Sequence, residues 1–168
     1  TSTDSHNTAV GYFSGVSITV GVNNVLMGAL AGDALTDADF NVAMGYQAGK
    51  AVTTGTSNTI VGANAGDAIT TGADNVAIGN FALSAEDTTG RNIAIGRNSL
   101  LVANSTSGNA NNVAIGYNTG ATITTGTKNI FIGSFAGDAT TTSSDNTVVG
   151  YNALTAGDSS GTNTAIGS

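Results

Sequence analysis

Short apolar runs closed by a glycine recur along this chain at a fixed interval. The pattern Asn-x-x-(Val/Ile/Met)-Gly starts at Asn7, Asn24, Asn41, Asn58, Asn75, Asn92, Asn112, Asn129, Asn146 and Asn163. Nine steps separate these ten copies; eight of them are seventeen residues, and the step from Asn92 to Asn112 is twenty. Numbered from its Asn, each repeat has Val, Ile or Thr at position 2, mostly Ala at position 3 and Val, Ile or Met at position 4. That is a short β-branched segment with alternating faces. Position 5 is glycine in all ten copies, including Gly28, Gly45, Gly62, Gly79 and Gly96, which points to a bend with positive φ or a close approach that a Cβ would block. Threonine and glycine gather near positions 13 to 16, as in Thr53-Thr54-Gly55 and Thr70-Thr71-Gly72, and mark a second corner. Two short strands and two corners per repeat predict one coil of a parallel β-solenoid or β-roll. No 3.6-residue periodicity supports helix. The expected fold is therefore all-β: a single repeat array over residues 1–168, ten coils of seventeen residues, with a three-residue insertion within 92–111.

Stacking makes a prediction about charge, because residues one repeat apart should lie about 4.8 Å apart on successive strands. Lys50 has Asp33 one repeat before it and Asp67 one repeat after; Arg91 follows Asp74 by seventeen residues, and Lys128 precedes Asp145 by seventeen. Only Arg97 lacks an acid at the equivalent place. Such pairs favour register but contribute only about 0 to 1 kcal/mol each where exposed. The apolar positions also exchange volume. Where position 9 is Gly (Gly15, Gly32, Gly49, Gly66, Gly120, Gly137), position 12 is usually aliphatic (Ile18, Leu35, Val52, Ile69, Ile123), with Thr140 the exception. Where position 9 is Leu (Leu83, Leu100, Leu154), position 12 is Glu86, Ala103 or Gly157. The large side chain moves and the core volume is roughly kept, as close packing requires. The asparagines at position 1, among them Asn24, Asn41, Asn58, Asn75 and Asn92, are expected to form a buried ladder of amides along the stack.

Composition narrows the core and the partners. The 168 residues include 24 glycines and no proline, and only 5% are aromatic, so a narrow core of small and β-branched side chains is expected. There is no cysteine to staple the fold or ligate a metal. Glycine and charge interrupt every apolar run before the roughly 18 residues of a membrane span, so no membrane insertion is expected. A net charge of -7 with four basic residues opposes nucleic-acid binding, which depends on neutralising phosphates. The chain opens in mid-repeat and carries no atypical capping unit, which reads as a length of a longer fibre.

The unit Asn-Thr-Ala-Ile-Gly, the Tyr151-Asn-Ala-Leu154 that follows one copy and the Thr-Thr-Gly before the next resemble the seventeen-residue repeats of bacteriophage tail-fibre and related bacterial surface-fibre proteins. Asp74-Asn-Val-Ala-Ile-Gly79 also resembles the Asn-Ser-Val-Ala-Ile-Gly motif of YadA-like trimeric autotransporter adhesin heads, whose repeats are usually shorter. The likeness covers the whole chain. It implies a homotrimer of β-rolls or an intertwined β-helix, located outside the cell, on a virion fibre or a bacterial surface. It supplies no catalytic residues.

Residues able to do chemistry are sparse. His6 is the only histidine and cannot form a triad or a metal cluster alone. No nucleophile elbow, dinucleotide fingerprint or complete phosphate loop is present. Glu86 and Asp87, the only adjacent acids, sit at a Thr-rich corner, whereas glycan cleavage would need paired carboxylates across a sugar. Asp33, Asp37 and Asp39 match no calcium-loop spacing and read as a solvated acidic corner. No enzyme activity and no cofactor are expected. Two features could touch a ligand. All four tyrosines, Tyr12, Tyr46, Tyr117 and Tyr151, fall at position 6, where each ring could offer a sugar an apolar face and a hydroxyl, or cover the corner or a chain interface. Asn104-Ser105-Thr106, within the insertion, is the only glycosylation-type sequon; an inserted segment on a solenoid bulges outward and serves either as a contact loop or as a tolerated insertion.

Three function classes fit. The first is a structural and adhesive fibre segment whose partners are further copies of itself and a cell-surface glycan or protein receptor, with weak sites repeated for avidity. The second is an ice-binding solenoid, suggested by Thr19, Thr36, Thr53 and Thr70 at position 13, although Asp87, Asn104 and Asp158 break that row. The third is a glycan-cleaving phage spike.

Overall fold

The computed structural model of the chain describes residues 5–85, 88–105, 108–155 and 162–168. It is an all-β solenoid of about nine turns, with strands β1 (Thr8–Val10), β2 (Val25–Met27), β3 (Val42–Met44), β4 (Thr59–Val61), β5 (Val76–Ile78), β6 (Ile93–Ile95), β7 (Val113–Ile115), β8 (Ile130–Ile132), β9 (Thr147–Val149) and β10 (Thr164–Ile166). They form one parallel sheet in simple chain order. Each residue pairs with its equivalent one repeat on, as Val25 with Val42 and Val42 with Thr59. The twenty-residue step keeps the same register, Ile93 opposite Val113. An insertion at a corner thus leaves the sheet untouched.

One expectation is corrected. Each described coil has one three-residue strand where two were expected. At the threonine corner several amides converge on one carbonyl of the next coil: the N–H groups of Thr19, Val20 and Gly21 all donate to Thr36 O, at 3.1, 3.4 and 3.1 Å. Thr53, Thr54 and Gly55 do the same to Thr70 O. A strand ladder needs one acceptor per donor along an extended backbone; a fan of donors on one acceptor makes a turn. The neighbouring isolated bridge, Gly90 to Asn109, is all that remains of a second ladder among the described residues.

The bend glycines behave as their spacing implies. All ten have φ between 123° and 143°, a region closed to side-chain-bearing residues. A Cβ on Gly79 would lie 2.6 Å from both the carbonyl carbon and oxygen of Gly96 in the next coil. Both reasons for glycine, conformation and close approach, therefore hold at once. Further corners at positions 7, 9 and 17 adopt left-handed backbone with other residues, among them Asn64, Leu83 and Asp74 at φ 54°, 53° and 60°. Many of these are Asn or Asp, the types that tolerate that region best.

The core is a set of columns. Position 3 is buried in the eight inner coils, as Leu26, Ala43, Ile60, Ala77, Ala94, Ala114, Phe131 and Val148. Position 8 adds alanines and position 12 adds Leu35, Val52, Ile69 and Ile123. The exchange between positions 9 and 12 has a direct cause, since a Cβ on Gly66 would lie 2.8 Å from Ile69 Cδ1. Position 3 joins this exchange. A Cβ on Gly15 would meet Leu26 at 2.7 Å, one on Gly49 would meet Ile60 at 2.9 Å, and those on Gly120 and Gly137 would meet Phe131 at 2.7 and 2.6 Å. Leu83 and Leu100, by contrast, belong to coils whose own and next position-3 residues are all alanine: Ala77, Ala94 and Ala114. Three positions share one fixed volume.

Candidate functional site

The asparagine column is internal and structural. Asn24, Asn41, Asn58, Asn75, Asn92, Asn112, Asn129 and Asn146 are buried. At all nine steps the backbone N–H of one Asn donates to the Oδ1 of the Asn before it, at 2.8 to 3.1 Å. Within a coil the Nδ2 donates to the carbonyl fourteen residues on, as Asn58 to Gly72 at 2.9 Å, tying the strand to the threonine corner. The exception is Asn92, whose Nδ2 is buried without a partner at the start of the longer coil.

Three other columns face outward. On the strand, positions 2 and 4 flank the buried position 3, and the residues at position 4 are apolar yet open: Met27, Ile78 and Ile132 are 40%, 37% and 39% exposed. All four tyrosines are exposed, from 40% at Tyr117 to 69% at Tyr12. Tyr12 packs on Phe13, their centroids 4.2 Å apart. Tyr117, Phe135 and Tyr151 form a continuous edge-to-face row with centroids 5.3 and 6.1 Å apart, and the Arg97 guanidinium lies 6.0 Å from the Tyr117 ring centroid. The one base with no acid one repeat away in the sequence therefore has an aromatic neighbour in the next coil. Sequence reading missed Phe135, which sits at position 7 where the tyrosines sit at position 6; aligning the two columns side by side is the signal that finds it.

Other candidate residues separate. Asn104 is exposed, and its N–H donates to Thr124 O at 2.8 Å. Ser105 is turned inward, 3% exposed. Thr106, Glu86, Asp87, Gly157 and Asp158 lie outside the described residues. His6 is exposed. At the acidic corner Asp37 is exposed and Asp33 and Asp39 half-buried; Asp37 Oδ1 accepts the Thr19 hydroxyl and Asp39 Oδ1 accepts the Val22 N–H, both at 2.8 Å. No group of three His, Cys, Asp or Glu able to hold a metal occurs among the described residues. The threonine row is tied to the next coil, as the hydroxyls of Thr36 and Thr53 donate to the carbonyls of Thr53 and Thr70 and that of Thr19 to Asp37. Of the column charges, Arg91 Nε reaches Asp74 Oδ2 at 3.8 Å, both side chains more than half exposed, the one ion pair among the described residues. Burial pushes the Asp67 carboxyl above the usual aspartate range, against the opposing pull of its own backbone amide and of Lys50.

No family model, no curated protein and no solved structure matches the chain.

Proposed function

We propose that the chain is a structural and adhesive segment of a surface fibre, assembled as a homotrimer outside the cell or on a virion, which carries and contributes to surface binding without catalysis. The observation that carries this reading is the outer face of the ten-stranded sheet. Parallel sheets are normally covered on both faces. Here the inner face is packed by position 3, whereas the outer face presents Val, Ile, Met and Thr at positions 2 and 4 to solvent. Nine inter-strand steps of about 4.8 Å make that face about 43 Å long, and an apolar stripe of this extent marks an interaction surface. A partner matching it must share its axial repeat, and a second copy of this chain does so by construction. Closed cyclic symmetry then lets three sheets face a common axis, the arrangement that the resemblance to fibre repeats implies.

A trimer would be stiff along its axis and would display every lateral feature three times, which favours avidity over single strong contacts. The ice-binding alternative gains no support from the threonine row, where Thr36 and Thr53 donate to carbonyls and Thr19 to Asp37. No helix among the described residues is long and apolar enough to cross a membrane. Light scattering tests the assembly: a solution mass of three times the 16.4 kDa chain is expected, and Ile78→Asp should reduce it. A parent that stays monomeric at every concentration overturns the reading.

A further inference from the structure

We infer that the shoulder formed by positions 6 and 7 of coils six to nine is a carbohydrate-binding strip, which takes an extended glycan laid along the solenoid axis. This deepens the adhesive reading and rests on it. Two exposed surfaces of the solenoid differ in their period. The strand face repeats in every coil, as an interface between identical copies requires. The shoulder varies: its residues are Arg97-Asn98, Tyr117-Asn118, Ser134-Phe135 and Tyr151-Asn152 in coils six to nine, whereas the five earlier coils alternate between a ring (Tyr12-Phe13, Tyr46-Gln47, Asn80-Phe81) and none (Ala29-Leu30, Ala63-Asn64), so that rings of successive coils meet in one row only from Tyr117 to Tyr151. A feature that breaks the period of a stacked array is not demanded by the stacking.

Its chemistry is that of sugar recognition. Exposed tyrosine rings present apolar faces to the C–H side of a pyranose while their hydroxyls stay wet. Amides and a guanidinium beside the rings supply donors and acceptors for sugar hydroxyls. The four residue pairs contain no Asp or Glu, so nothing in them repels a uronate or demands a cation. The rings are also held in place. Asn118, Phe135 and Asn152 donate their backbone N–H to the position-6 carbonyls of Arg97, Tyr117 and Ser134 at 3.0, 2.9 and 3.1 Å, and Asn98 Nδ2 donates to Asn118 Oδ1 at 2.9 Å. Edge-to-face contacts through Phe135 fix Tyr117 and Tyr151 relative to each other. A platform fixed before binding loses little entropy on contact. Rings two coils apart, about 10 Å along the axis, are spaced for sugars two residues apart on one extended chain.

The test is calorimetric titration of the whole chain with three soluble probes: linear oligomers of N-acetylglucosamine, of glucose and of galacturonate. At least one is expected to bind, with Tyr117→Ala and Tyr151→Ala each weakening it by about tenfold and Phe40→Ala, an exposed ring outside the shoulder, leaving it unchanged. All three rings are exposed, and unchanged thermal melts show that the variants still fold. Binding by none of the three probes, or binding indifferent to Tyr117 and Tyr151, overturns the strip. Light scattering on the same samples keeps the two readings apart: a trimer that binds no probe overturns the strip alone, and a monomer that binds through these tyrosines supports the strip and overturns the assembly.

Discussion

The sharing of volume among positions 3, 9 and 12 can be tested by moving one side chain between coils. Leu100, at position 9, is fully buried, and its coil and the next carry Ala94 and Ala114 at position 3. In coils three and four the arrangement is inverted: Gly49 stands at position 9, and Ile60 of the next coil fills the space, its Cδ1 only 2.9 Å from where a Cβ on Gly49 would sit. Leu100→Gly should therefore leave a cavity, costing about 2 to 5 kcal/mol by the usual leucine deletion range. That cost is offset by about 1 to 2 kcal/mol as a leucine leaves left-handed backbone at φ 49°. Ala114→Ile alone overfills the same layer and should cost about 1 to 3 kcal/mol. The double variant restores positions 9 and 3 of coils three and four, leaving Ala103 at position 12 where coil three has Val52, so its loss should fall below the sum of the two by about 2 kcal/mol, within the range of contacting pairs. Denaturant unfolding of the parent and the three variants, followed by circular dichroism, measures that coupling. Strictly additive losses would refute the shared-volume model, because independent sites have no reason to compensate.

Other consequences are equally direct. Gly79→Val combines backbone strain of about 1 to 3 kcal/mol with overlap onto Gly96 and should prevent the array from reaching its native circular dichroism signal; a melting point equal to the parent's would sink the coil geometry. Asn58→Ala strips partners from Gly72 O and the Asn75 N–H, each costing about 1 to 3 kcal/mol, whereas Asn92→Ala, whose Nδ2 has no partner, should cost less; calorimetric melts rank the two. The raised Asp67 carboxyl means that the folded chain holds this proton more tightly than the unfolded chain. Stability should thus fall as pH rises from the ordinary aspartate range through the raised one, and Asp67→Asn should flatten that decline in melts recorded from pH 3 to 8.

The solenoid was legible because stacking converts spacing into contact. A column that is asparagine or glycine in every copy has one environment in every coil, so the ladder and the bend could be read without coordinates. The second strand was misread for a related reason: threonine is a strand former, and composition alone does not reveal that Thr19, Val20 and Gly21 share a single acceptor. The left-handed corners at Phe40 and Leu100 were hidden as well, since neither residue type advertises that backbone. Surface candidates were the least legible. Tyr117 was identifiable as a candidate contact, but its row with Phe135 joins two different positions in two coils, and a column-by-column reading separates the partners.

The longer sixth coil indicates where such an array admits novelty. Its three added residues leave β6 and β7 in register and leave the backbone rung from Asn112 to Asn92 Oδ1 intact at 3.1 Å. The disturbance is taken up by side-chain amides. The Nδ2-to-Oδ1 rungs seen from Asn24 through Asn58, and again from Asn129 onward, are missing at Asn75, Asn92 and Asn112. A backbone rung that every coil retains and an amide rung that can lapse divide the ladder between fixing register and adding stability. The threonine corner can therefore lengthen at the cost of a few weak bonds, whereas the strand and its glycine cannot change without moving every coil beyond them. The aperiodic residues gather where this division allows, at the inserted corner and on the shoulder past the bend. Arg97 lies on the coil that holds the insertion and Tyr117, where the aromatic row begins, on the next, so the part of the array least bound by its own repeat is also the part where the proposed strip begins.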